Sequence, residues 1–132
     1  MQNPTPGQAP ESPRFPKTST GLEANVAALL CYVGWWISGL VFLLVENENK
    51  FVRFHAIQSI AVFGTFTVAL IIFKDILGFL PLIGWVFSNV FGNIILAVAL
   101  IFWIILMLMA YQGRKYKLPW AGDIAAQKSG LD

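Results

Sequence analysis

The chain has 132 residues, of which 57% are hydrophobic and 12% charged, with a mean hydropathy of +0.67. A typical soluble domain is about 45–50% apolar and about 25% charged, so this composition excludes an ordinary soluble enzyme and points to a membrane domain. A formal net charge of +2 is too small to imply nucleic acid, and the cations sit beside apolar runs, where anionic lipid headgroups are the expected counterpart.

Five prolines (Pro4, Pro6, Pro10, Pro13 and Pro16) fall in the first sixteen residues. Residues 1–21 hold no apolar stretch of the kind a signal peptide needs. Their Pro, Ser, Thr and Gln content predicts a disordered, extended leader.

The first apolar run is Leu22 to Val45. Thr20-Gly21-Leu22-Glu23 before it has the form of a capping box. A single helix of 24 residues would rise about 36 Å, enough to cross a hydrocarbon core of about 30 Å with tilt. Ala27, Cys31, Gly34 and Ser38 recur at helical spacing and predict a small-residue seam for close helix packing. Cys31 has no second cysteine to pair with and no ligand spacing for zinc.

After the polar Glu46 to Lys50 turn, a second span is expected over about 51–73, with Lys74 and Asp75 at its far end. Ala61, Thr65 and Ala69 form another small face, and the threonine can bond back to a helix carbonyl. The uncharged stretch from Ile76 to Tyr111 is too long for one span and slightly short for two. Pro81 and Gly84 break helices and Trp85 suits an interface, so this segment predicts a shallow or re-entrant turn. A third span then covers about 89–112, with Gly113 as its C-cap and Arg114, Lys115 and Lys117 complementing the helix dipole.

These elements give an all-α membrane bundle of three transmembrane helices plus a short re-entrant or interfacial segment. The transmembrane domain covers 22–113, and a basic tail covers 114–132. Counting Lys and Arg, three spans give six to three in favour of a cytoplasmic C-terminus and an outside N-terminus. Four spans give a stronger asymmetry of seven to two.

In the Phe51 to Ser59 stretch, His55, Gln58 and Ser59 share one helix face. Polar groups near a bilayer are costly unless paired, so these should face other helices or the interface and not lipid tails. In the three-span arrangement Asp123 lies on the same side and is expected to pair with Arg53 or His55. Trp35, Trp36 and Trp103 fall within spans and are expected to pack.

The Thr20 to Glu23 motif, the Phe51 to Ser59 run, and the stretch from Ala110-Tyr111-Gln112-Gly113 through Lys117-Leu118-Pro119 to Gly122-Asp123-Ile124-Ala125 together resemble a widespread prokaryotic family. It consists of small membrane proteins of unknown function, is similar to the twenty-kilodalton subunit of the chloroplast inner-envelope import translocon, and includes magnetosome-membrane proteins. The resemblance implies three spans with both motifs on the cytoplasmic face. It carries over Arg53, His55, Gln58 and Asp123 as signature positions and implies no catalytic residue, cofactor or metal ligand.

The chain offers no nucleophile with its base and no glycine-rich phosphate loop. The expected function is therefore a non-enzymatic scaffold or assembly subunit of a membrane complex. Its expected partners are the lipid bilayer and either a second copy or other membrane proteins, with no nucleic acid or small-molecule substrate. The alternative is an oligomeric subunit of a protein- or solute-translocation conduit.

Overall fold

The computed structural model describes residues 18–130, which contain helices and no strand. The leader expected over 1–21 lies outside these residues up to position 17. Its last four residues form a turn in which the Gly21 amide donates to the Thr18 carbonyl at 3.1 Å.

The helices are α1 (Ala24–Val33), α2 (Trp35–Val45), α3 (Lys50–Phe79), α4 (Gly84–Tyr111) and α5 (Ala121–Ser129). Two of them, α3 with 30 residues and α4 with 28, are long and apolar enough to cross a membrane. They rise about 45 and 42 Å. α3 loosens to a π turn at Ile71–Ile76 and a 3-10 turn at Leu77–Phe79, and α4 holds a π turn at Phe87–Phe91. The second helix therefore continues past the expected end at residue 73 and through Lys74 and Asp75. Lys74 is accommodated because its stem lies over Gly92, where a Cβ would come within 2.6 Å of Lys74 Cγ, and its ammonium donates to Asn93 Oδ1 at 2.8 Å.

The single span expected over 22–45 does not form. Gly34 ends α1, and Trp35 takes a left-handed φ of +64° that turns the chain back on itself. Along α3, Ala24, Ala27 and Cys31 of α1 pack at Val52 and Ala56, and Phe42 and Leu43 of α2 return to the same level. The apex sits deeper, where Trp35 Nε1 donates to Thr67 Oγ1 at 2.9 Å. α1 and α2 are thus a helical hairpin of 10 and 11 residues, about 15 and 17 Å long, each roughly half the length needed to cross a hydrocarbon core. The predicted capping box is also absent. Glu23 is the N-cap without a side-chain bond, and the Thr20 hydroxyl bonds that of Thr18 instead.

The re-entrant element was expected at Leu80 to Trp85, but that segment is the tight connection between the two long helices. Gly78 and Gly84 cross so closely there that a Cβ on Gly84 would overlap the Gly78 carbonyl. α4 starts at Gly84, earlier than the expected 89, and ends in a Schellman turn. Gly113 takes φ +74°, its amide donates to Ala110 O, and the Arg114 amide donates to Met109 O, both at 3.0 Å.

Residues 114–120 then descend beside α3 as a non-helical strap, and α5 climbs back along α3 to place Ala125 and Ala126 against Phe54. The core runs between the helices from Ala28 and Tyr32 through Val62 and Phe63 to Leu106 and Ala110. Both described ends lie at the Lys50 end of α3. Ser19 bonds Glu46 there, and a Cβ on Gly130 would lie 3.7 Å from Lys50 Cε. Among the described residues two helices, not three, are long and apolar enough to cross a membrane.

Candidate functional site

The polar side chains gather at this shared end, in two connected groups. The outer one is built on Glu46, whose amide closes α2 onto Phe42 O. Its side chain is fully buried. One carboxylate oxygen, Oε2, accepts from the Ser19 amide at 2.8 Å. The other, Oε1, accepts from the Ser19 hydroxyl at 2.8 Å, the Glu48 amide at 3.1 Å and the Asn49 amide at 2.9 Å. Burial acts to raise the carboxyl, but the bonds from Asn49, Ser19 and Glu48 outweigh it and hold Glu46 below the usual carboxylate range.

Asn49 N-caps α3, accepting from the Phe51 and Val52 amides. Arg53, one turn on, donates to Glu46 O at 2.8 Å and Leu43 O at 3.3 Å, so its guanidinium covers the last carbonyls of α2. The expected pairing of Arg53 or His55 with Asp123 is not formed. Arg53 is held by α2, His55 by α1, and Asp123 is exposed in the first turn of α5.

The inner group lies one to two turns deeper. Tyr32 Oη and His55 Nδ1 are 3.0 Å apart, and the imidazole is ringed by the edges of Tyr32, Phe51 and Phe54. Gln58 Nε2 donates to Tyr116 O at 3.0 Å and so pins the strap to α3. His55 Nε2 and Gln58 Oε1 are buried without a hydrogen-bond partner. His55, Gln58 and Ser59 therefore share a face turned toward other elements, as their spacing predicted.

Ser59 serves the break between α1 and α2. An interrupted helix in an apolar medium must have its free carbonyls satisfied by other donors. Ser59 Oγ lies 2.8 Å from Cys31 O and 2.9 Å from Trp35 O, and Ser38 Oγ lies 3.0 Å from Cys31 O. Trp103 Nε1, from α4, donates to Tyr32 O at 2.6 Å. Trp35 and Trp103 thus use their indole N–H groups within the bundle.

The predicted seam is divided by the same break. Ala27 and Cys31 pack α1 on α3, Gly34 is the turn, and Ser38 on α2 accepts from the Gly34 amide at 2.9 Å. Within the hairpin, the glycine that lies tight against α3 is Gly39, which is not part of the predicted seam. A Cβ there would meet Ala56 O at 2.9 Å and Ser59 Cβ at 3.0 Å. Glu46 was passed over, as part of a polar turn. Its signal was position: an acid three residues before an Asn that itself precedes a long apolar helix. No group of three potential metal ligands occurs among the described residues.

The family described as the magnetosome magnetite crystal formation protein family matches residues 19–125. A UPF0132 membrane protein of Methanocaldococcus jannaschii is 48% identical over 113 residues, covering 86% of this chain and 94% of the relative. A UPF0132 membrane protein of Archaeoglobus fulgidus is 41% identical over 110 residues, covering 83% and 98%. No solved structure matches the chain.

Proposed function

Starting from the premise that this chain belongs to the magnetosome magnetite crystal formation protein family, we propose that it is a multi-pass, non-enzymatic membrane scaffold that assembles with copies of itself or with other membrane proteins. The observation that carries this reading is the division between closed polar groups and open apolar flanks. Glu46, Arg53, Tyr32, Gln58 and Ser59 hold segments of the chain to one another. On α4, by contrast, Ile94, Val98, Ile101, Ile105 and Leu108 form one exposed stripe. Alternating steps of four and three are the spacing with which helices pair along a seam.

α3 and α4 cross the bilayer in this reading, and the α1–α2 hairpin enters from one side only. Six of the seven described cations, Lys50, Arg53, Arg114, Lys115, Lys117 and Lys128, belong to that side, against Lys74 at the other. The excess supports a cytoplasmic location for both ends. The family description concerns magnetite crystal formation. The archaeal relatives are described as UPF0132 membrane proteins. The scaffold role is the part that both descriptions accommodate.

The test is the mass of the complex extracted in mild detergent, followed by reconstitution. A discrete oligomer or a reproducible co-purifying membrane protein, with vesicles that stay impermeable, is the expected result. A partner-free monomer overturns the scaffold. Peptide or ion flux that rises with protein density replaces it with the conduit.

A further inference from the structure

An apolar cavity of about 180 Å³ opens between Val62, Thr65 and Phe66 of α3, Phe102 of α4 and the Leu118 to Ala121 segment. Thr65 lends it a methyl group, because its hydroxyl lies 2.7 Å from Ala61 O, where it donates. An apolar cavity of comparable size, about 150 Å³, stays dry and admits hydrocarbon.

What lies above the opening specifies the occupant further. The strap that ends at the cavity carries Arg114, Lys115 and Lys117, all exposed. Gln58 anchors it through Tyr116 O, so these cations sit near the level of His55 and Gln58. That is one to three helical turns from Val62 and Thr65, about 6–15 Å along α3, on the side of the shared polar end. From 114 to 130 they and Lys128 face a single carboxylate, Asp123. Trp120 forms the rim, half exposed, at the centre of a γ-turn with φ +56° and ψ −51°, closed by the Ala121 amide donating to Pro119 O at 2.6 Å. A bulky residue is rare in that region and persists only where its surroundings fix it.

We propose that this groove is a binding site for one anionic phospholipid, whose acyl chain lies between α3, α4 and Trp120 while its phosphate is met by Arg114, Lys115 and Lys117. Charge complementarity selects the headgroup and the dry groove selects the chain, a combination that neither a soluble anion nor a zwitterionic lipid satisfies. The inference rests on the membrane insertion proposed above but not on the scaffold role.

The full-length protein is reconstituted into phosphatidylcholine vesicles containing increasing fractions of bromine-labelled phosphatidylglycerol or bromine-labelled phosphatidylcholine. Trp120 emission is isolated by comparison with Trp120→Phe. Half-maximal quenching is expected at a mole fraction at least threefold lower for the anionic lipid. In Lys115→Gln/Lys117→Gln the two lipids should quench alike, and Thr65→Phe, which fills the groove, should weaken quenching by both. Equal quenching in the unaltered protein, or a preference for the anionic lipid that persists in the charge variant, overturns the site. Arg114→Gln alone repeats the charge test if the double variant loses its helical circular dichroism. Protein that fails to float with the vesicles at all instead overturns the membrane reading.

Discussion

Among the described residues no cation bonds the Glu46 carboxylate, whose charge is spread over three amides and one hydroxyl. Replacing it with Gln turns one acceptor into a donor that faces other donors. Glu46→Gln should cost about 2 kcal/mol, measured as a shift in the unfolding midpoint in mild detergent. The sign of the pH effect follows from its lowered pKa. Its stabilisation is fully present above the ordinary carboxylate range and is lost as pH falls through the lower folded-state value. Acid should therefore destabilise the unaltered protein more steeply than the Gln variant. Arg53 tests the neighbouring contact: its bonds go to Leu43 O and Glu46 O. The costs of Arg53→Ala and Asp123→Ala should add to within about 0.5 kcal/mol in a double-mutant cycle, and a larger coupling would restore the pairing that the sequence suggested. That pairing looked sound because charge and side were readable from the chain. Which partner Arg53 meets depends on where α2 ends in space, and no spacing rule carries that information.

Among the helices, the break at Trp35 decides the architecture. Leu22 to Val45 reads as one span because hydropathy is summed over a window and is blind to a single left-handed residue. Gly34, read as one step of a seam, is where the chain leaves α1. The donors that make the break tolerable were legible only as small polar residues within apolar runs. Ser59→Ala removes the Ser59 hydroxyl bond at Cys31 O and Trp35 O, and should lower stability by about 1–3 kcal/mol. Gly39→Val should be at least as damaging, since the added carbons meet the α3 backbone, whereas Gly64, with nothing within 4 Å of its Cβ position, should accept Ala. Thermal unfolding of the three variants in one detergent checks the ranking. The opposite kind of element, the Schellman turn at Gly113, was readable in advance. Its chemistry is local: a Gly after an apolar helix, followed by basic residues.

For the molecule as a whole, the long apolar helices and the place where the chain turns at Pro81 were visible in the sequence, and the number of crossings was not. The three-span count of six to three and the four-span count of seven to two both assumed that every long apolar run crosses. Treating the first run as a hairpin groups six of the seven described cations on one side, whereas the two earlier counts also included Arg14 and Lys17, which lie outside the described residues. Single cysteines at the exposed positions Ser19 and Gln127 should react with a membrane-impermeant thiol reagent from the same side, and one at Leu82 from the opposite side. Labelling of Ser19 and Gln127 from opposite sides of intact cells would reject the paired-end arrangement. The background from Cys31 is small because that thiol is buried.

The hairpin, the strap and α5 all stop partway down α3. Among the described residues a cross-section at the polar end therefore cuts α1, α2, α3, α4 and the returning tail, while beyond Thr67 it cuts α3 and α4 alone. Inserted in this way, the molecule displaces more lipid from one monolayer than from the other. The two leaflets must then differ in area around it, and a crowd of such molecules gives the sheet a preferred bend, convex toward the face that carries the basic strap.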